Sequence, residues 1–385
     1  MQHIIRIKKM ESQIATDEQI NDPGLFSPIS VGPLNISHRV VLAPLTRMRT
    51  VSGSVPNDLM VKYYVQRSTP GGFLIAEATQ VSSRGNGYFN SPGIFTDEQE
   101  TGWKTLVEAV HAKGSLIFLQ LYHAGRVSHS SLQPDDGLPL GPSVVPHQNV
   151  AGTPNGWEAT TLNRMLEVDE IKETVKEFGK ATARARAAGF DGVELHGANG
   201  YLVDQFLQNG SNKRTDSYGG SIENRSRFLL EVVEEMVNNW SGNRVAVRLS
   251  PSGRFNDMSD SDPLALFSYV TEQLNKFGLA YLHVIEPRVV GSYMEKEGIE
   301  PVASIHLRKI FKGRIIAAGG FDRDGAAAII KKGHADLVAF GRHFIANPDL
   351  PYRYRHGLPL NPYDRETFYG GNEIGYLDYP FFQED

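Results

Sequence analysis

Within six positions, His196-Gly197-Ala198-Asn199-Gly200-Tyr201 supplies an imidazole, a carboxamide and a phenol. The imidazole and the carboxamide can each donate a hydrogen bond to one oxygen. The phenol can give up a proton. Two donors and an acid suit a site that polarises a carbonyl and protonates a carbon. The apolar run 190–195 stands directly before them and reads as a buried strand, so all three arrive at its C-terminal end. The group that attacks the carbon has to come from elsewhere in the chain.

The elements that would position these groups recur along the sequence. Eight short β-rich runs are Val40–Leu45, Phe73–Ala78, Leu116–Tyr122, Gly192–His196, Val245–Ser250, Tyr281–Glu286, Arg314–Gly319 and Leu337–Gly341. Most are nearly continuous apolar segments, as strands covered on both faces should be. Helical periodicity lies between them over Asp97–Lys113, Glu167–Ala188, Ile222–Trp240, Pro263–Phe277 and Asp322–Lys332. Strand–helix units repeated in this way predict a closed (β/α)₈ barrel. The runner-up is a doubly wound open sheet, which normally carries a Gly-rich turn after its first strand. Ala43-Pro44-Leu45-Thr46-Arg47 is not such a turn. Residues 29–36 read as a hairpin turning at Gly32-Pro33 and placed to plug the N-terminal mouth of the barrel. Residues 1–24 read as a weakly ordered extension and 25–385 as one barrel domain. The stretch 124–165, rich in Pro, Gly, Ser and Asn, is expected to be a long excursion over the C-terminal face.

Composition narrows the chemistry. The chain has 385 residues, a net charge of −5 and no cysteine. Thiol catalysis, disulfides, Cys-ligated zinc and iron–sulfur clusters are therefore excluded. Nothing suggests a nucleic-acid surface, no apolar run reaches membrane-spanning length, and a cytoplasmic location is expected. The twelve histidines show no metal-ligand spacing, so no metal is predicted.

In such a barrel, polar residues at strand C-termini carry the chemistry. In order these are Thr46 and Arg47; Glu77 and Thr79; Gln120 and His123; His196, Asn199 and Tyr201; Arg248; Glu286 and Arg288; Gly319 and Gly320; Gly341 and Arg342. Glycines at the ends of the seventh and eighth strands expose backbone N–H groups where barrels commonly bind phosphate, and Arg342 can clamp it. Gln120 suits a ring imide, and Arg248 a ring that becomes negative on reduction. Phosphate, imide and anion together suggest flavin mononucleotide (FMN), although sugar phosphates also use this end of the fold. Arg248 has a second reading, as half of a buried ion pair with Glu77 or Glu194. His123 and Arg126 are expected to anchor the excursion.

Two runs carry a family resemblance: Ala43-Pro44-Leu45-Thr46-Arg47, and His196 through Leu202-Val203-Asp204-Gln205-Phe206-Leu207 into Asn212-Lys213-Arg214-Thr215-Asp216-Ser217-Tyr218-Gly219-Gly220-Ser221 and Glu223-Asn224-Arg225. Here the chain resembles the Old Yellow Enzyme family of flavin-dependent ene-reductases, over roughly residues 25 to 382. The resemblance implies an FMN barrel that takes hydride from NADPH or NADH and reduces the C=C bond of α,β-unsaturated carbonyl compounds. By the same resemblance, Pro44, Leu45 and Thr46 would line the flavin ring, with Ala78 near it. Gln120 and Arg248 would contact the ring and ribityl chain, and Gly320, Gly341 and Arg342 would hold the phosphate. His196 and Asn199 would bind the substrate carbonyl, and Tyr201 would be the proton donor. Tyr122 stands where several relatives have tryptophan and is expected to bear on substrate range. Arg288 and Tyr369 are further candidates for substrate contact.

The partners expected are small enones or enals acting on a monomer or homodimer. Competing readings are a nitro or nitrate-ester reductase on the same scaffold, a flavin-free barrel isomerase or lyase, and a protein that holds FMN without turnover.

Overall fold

In the computed structural model, the described residues are 24–290, 293–294 and 302–383. The proposed N-terminal extension falls, apart from Gly24, outside them. Eight parallel strands close into a barrel in strict chain order: Val40–Leu42, Phe73–Gln80, Leu116–Tyr122, Gly192–Gly197, Val245–Leu249, Tyr281–Ile285, Ile315–Ala318 and Leu337–Phe340. The eighth strand pairs with the first, Val338 opposite Val40, which excludes the open sheet. All eight sequence-predicted strands are present, and every residue in them except Leu116 is buried.

Alternation along these strands sorts the side chains into two cores. Outward-facing residues such as Leu74, Leu119, Leu195 and Val247 meet the helices. The helix Asp97–His111 starts with a capping box at Thr96 and Gln99, and buries Trp103, Leu106, Val107 and Val110 at helical spacing. The helix Val168–Ala187 buries Ile171, Val175 and Phe178 in the same way. Inward-facing residues fill the barrel bottom, where Phe73, Phe118 and Tyr281 meet with centroids 5.1–5.9 Å apart. The hairpin of Ile29–Val31 and Leu34–Ile36 adds Val31 and Ile36 to this inner core, each 1% exposed. Its turn glycine, Gly32, has φ +53°, and a Cβ there would lie 2.2 Å from the Asn243 carbonyl oxygen. The hairpin therefore closes the N-terminal mouth, and only a residue without a Cβ permits so close a fit.

One irregularity matters for the site. Pairing between the second and third strands shifts between Ala76 and Thr79. Before the bulge, Phe73 and Ile75 face the barrel interior. Past it, Ala78 faces the C-terminal cavity, while Glu77 turns outward, 3.3 Å from the Tyr64 hydroxyl. A bulge resets the two-residue alternation in this way. Glu77, expected from spacing at the mouth, instead lies outside the barrel wall, where its carboxylate accepts from the Arg47 N–H.

Candidate active site

A cavity of about 510 Å³ opens at the C-terminal end of the barrel. That is within the usual range for small-molecule sites. Its polar floor is made by Gln120 and Arg248, inward-facing one layer above the aromatic bottom, with the inward Glu194 and His283 packed beside them outside the lining. Glu194 is fully buried and uses both oxygens: Gln120 Nε2 donates to one at 2.7 Å, and His283 Nδ1 meets the other at 2.9 Å. Burial raises the Glu194 carboxyl, but His283, Arg248 and the Gln120 hydrogen bond outweigh it and hold it below the usual carboxylate range. Burial also pushes the His283 imidazole down, and because an ionised carboxylate only accepts, His283 Nδ1 carries a proton and donates it to Glu194. Of the two ion-pair partners considered for Arg248, Glu194 is therefore the one that acts on it.

This arrangement constrains what the cavity accepts. An ionised carboxylate only accepts, so Gln120 must give it the amide NH₂ and keep its carbonyl oxygen free. Arg248 lines the cavity with a buried Nε that has no hydrogen-bond partner. A free acceptor beside an unsatisfied cation matches a ring imide next to an oxygen that becomes negative.

The turn after the fourth strand carries the opening motif. Asn199 and Gly200 adopt left-handed backbone, with φ +57° and +75°. Asparagine and glycine tolerate that region best. The turn swings Tyr201 back over the strand end, so its ring meets that of His196 edge-on with centroids 4.9 Å apart. His196 Nδ1 is buried and unpartnered. His196, Asn199 and Tyr201 all line the cavity. Burial, with Arg248 and His283, holds the His196 imidazole well below its ordinary pKa, so it is neutral. Burial, with Tyr88 adding to it, holds the Tyr201 phenol well above its ordinary pKa, so it keeps its proton.

The other wall and the far end complete the cavity. Pro44, Leu45, Thr46 and Ala78 line one side; Gly319, Gly320, Gly341 and Arg342 line the far end, with His343 and Arg365 beside them. A Cβ on Gly341 would come within 3.2 Å of Leu45 Cδ2. The free amide acceptor, the unpartnered Arg248 Nε and a glycine-lined end bearing Arg342 fit FMN.

Several placements differ from the sequence expectation. Tyr122 is 1% exposed and lies behind Tyr201 and His196; its hydroxyl accepts from the Gly87 N–H, and it does not line the cavity. Arg288 is exposed, with its guanidinium over the Phe321 ring at 4.2 Å, and is likewise outside the lining. Tyr369 does line the cavity. Arg47 lines the cavity as expected, but its guanidinium clasps the C-terminal segment, donating to the carbonyls of Phe368 at 2.8 Å and Gly375 at 2.9 Å. His123 and Arg126 are structural, as expected: Arg126 donates to the Asn256 carbonyl at 3.0 Å, and His123 Nδ1 accepts from the Gly125 N–H.

Several wall residues were not among the sequence candidates, Tyr88 and Trp157 foremost. Tyr88, in the loop after the second strand, places its hydroxyl 2.8 Å from that of Tyr201. Trp157 comes from the hairpin Val150–Thr153 and Gly156–Ala159 within the predicted excursion, and packs against both Tyr88 and Tyr369. The only signal for either was an aromatic in a loop bound for the C-terminal face.

A closed (β/α)₈ barrel whose cavity has a floor of Gln120 and Arg248 and a glycine-lined end bearing Arg342 fits a flavin-dependent oxidoreductase. A profile described as the NADH:flavin oxidoreductase / NADH oxidase family matches residues 24–361, and the chain belongs to that family; FMN is its cofactor. It is 47% identical to 12-oxophytodienoate reductase 1 of Oryza sativa subsp. japonica, over 94% of this chain and 93% of that one. It is also 47% identical to 12-oxophytodienoate reductase 2 of Arabidopsis thaliana, over 92% and 95% respectively. Among solved structures, morphinone reductase in complex with tetrahydroNAD superposes with a TM-score of 0.87 at 47% identity, covering 94% of this chain and 98% of that one. Among the described residues, no helix is long and apolar enough to cross a membrane.

Proposed function

We propose that this enzyme reduces the C=C bond of α,β-unsaturated carbonyl compounds, with NADPH or NADH as reductant. When bound, FMN would supply the hydride-transfer chemistry between nicotinamide and the substrate β-carbon. Gln120 and Arg248 hold the flavin ring. Pro44, Leu45, Thr46 and Ala78 pack beside it, and Gly319, Gly320, Gly341 and Arg342 hold its phosphate. His196 and Asn199 donate to the substrate carbonyl oxygen. As negative charge grows there, both hydrogen bonds strengthen, so they lower the barrier more than they stabilise the bound substrate. Tyr201 delivers its proton to the α-carbon, and Tyr369 contacts the substrate from the C-terminal segment. Residues 25–385 act as one FMN-binding barrel domain.

The observation that carries this reading is one juxtaposition. The unpartnered, neutral His196 imidazole and the protonated Tyr201 phenol stand 4.9 Å apart on one wall, in a cavity whose floor is Gln120 and Arg248. Relatives named for reducing 12-oxophytodienoate and morphinone support the substrate class. The test is anaerobic. The yellow holoenzyme should bleach with NADPH and recover colour with cyclic enones and enals, each giving the saturated carbonyl compound. Recovery with nitroalkenes or nitrate esters but with no enone would replace this reading by nitro-group reduction. Failure to bleach would leave a flavin-binding protein without turnover.

A further inference from the structure

Asp204 lies outside the cavity lining and is completely buried, yet its carboxylate faces the back of the turn that presents Asn199 and Tyr201. One oxygen accepts from the Gly200 N–H at 2.9 Å and from the Ser250 hydroxyl at 3.3 Å. The other accepts from Gln208 Nε2 at 2.8 Å. Ser250 follows the fifth strand directly, and its Oγ accepts from the Asn199 N–H at 2.8 Å. The Asn199 carbonyl is held in turn by Asn256 Nδ2 at 2.7 Å. Every backbone polar group of Asn199 is thus tied down, and its carboxamide projects at the cavity.

The direction of this chain follows from its chemistry. Ser250 has one proton, which goes to Asp204, so its lone pairs are left for the Asn199 N–H. Gly200 and Asn199, consecutive left-handed residues, present their two N–H groups to the same Asp204–Ser250 unit. Replacing the carboxylate with an amide leaves one acceptor oxygen in place of two for the Gly200 N–H, the Ser250 hydroxyl and Gln208 Nε2, and adds a donor among them. The geometry points to Asp204 and Ser250 as positioning residues that hold the Asn199 carboxamide, and with it the carbonyl-binding pair, in register with His196. This rests on the reading of His196 and Asn199 as carbonyl donors.

The experiment titrates p-chlorophenol into the oxidised FMN holoenzyme and follows both the dissociation constant and the long-wavelength charge-transfer band. The variants are Asn199→Ala, Ser250→Ala, Asp204→Asn and the Asp204→Asn/Ser250→Ala double. Ser250→Ala and Asp204→Asn should each weaken binding roughly three- to tenfold and reduce the band per bound ligand, because the phenol oxygen is no longer held in one place. The double variant should be no weaker than the poorer single, since both act on one chain of bonds. FMN content and the ligand-free flavin spectrum should stay unchanged. If Asn199→Ala weakens binding while Ser250→Ala and Asp204→Asn do not, the positioning role is wrong and the carbonyl reading stands. If the two single losses simply add, the linked chain is overturned. If Asn199→Ala itself has no effect, the carbonyl reading fails and the positioning role fails with it. Should Asp204→Asn not fold, Ser250→Ala against Asn199→Ala decides the question alone.

Discussion

Tyr201 carries the sharpest division of labour at the residue scale. Its phenol stays protonated because burial opposes the charged form, and its hydroxyl shares a hydrogen bond of 2.8 Å with that of Tyr88. Tyr201→Phe removes the proton without altering the ring contacts to His196 and Tyr122. The expected outcome is that anaerobic bleaching by NADPH stays within about twofold, while reoxidation by an enone slows by roughly 10²-fold or more, as loss of a general acid does. Stopped-flow measurement of the two half-reactions checks this; equal slowing of both would remove Tyr201 as proton donor. The motif itself was legible because three chemically distinct side chains fall within six positions after an apolar run. Tyr88 was not legible, because its partner is 113 positions away and the two meet only through the barrel closure.

At the scale of elements, strand ends divide the ligand between them. The third and fifth strands give the polar floor, Gln120 and Arg248, with Glu194 and His283 of the fourth and sixth behind it; the seventh and eighth give the glycines and Arg342. Arg342→Gln keeps the length of a polar side chain but removes the charge. Charge-assisted hydrogen bonds are worth about 1.5–3 kcal/mol, so the FMN dissociation constant should rise roughly ten- to hundredfold, with riboflavin binding unchanged. Fluorescence titration of the apoprotein with each flavin measures both; equal weakening for FMN and riboflavin would place Arg342 away from the phosphate. The bulge in the second strand is the counter-example to periodicity. Alternation alone sends Glu77 to the mouth, and the shift after Ala76 sends Ala78 there instead. A bulge leaves no mark in apolar spacing, since Glu77, Ala78 and Thr79 are all buried whichever way they face.

For the whole molecule, the C-terminal segment is fastened to the loop after the first strand by Arg47 and Arg49, whose guanidiniums donate to the carbonyls of Thr367, Phe368, Asn372 and Gly375. This brings Phe368 and Tyr369 to the cavity. Glu77 sits beneath the clasp, and burial pushes its carboxyl up to about 7, against the partly offsetting Arg47 N–H and charge. A carboxyl raised in the folded state binds its proton more tightly there than in the unfolded chain. Its contribution to stability is therefore present below the ordinary range near 4.5 and is lost as pH rises through about 7. Glu77→Gln should accordingly gain thermal stability on the unsubstituted protein between pH 5 and 8. Melting curves across that interval test it, and a difference independent of pH would show that Glu77 does not titrate there.

By itself the sequence determined the barrel and placed His196, Asn199, Tyr201, the strand-end glycines and Arg342 at its C-terminal cavity. These depend on local periodicity and on residue types fixed at strand termini, both of which survive without knowledge of distant contacts. It also bore the family resemblance that implied FMN. Only the tertiary structure decided which candidates reach the cavity. Tyr122 and Arg288 were turned away, Arg47 kept its place in the lining but gave its guanidinium to the C-terminal clasp, and Tyr88 and Trp157 were brought in. The physical reason is that a side chain's direction at a loop or bulge depends on partners distant in the chain. The same holds for Asp204, which the sequence places in the motif but which only the fold sets against Ser250 and, through it, Asn199.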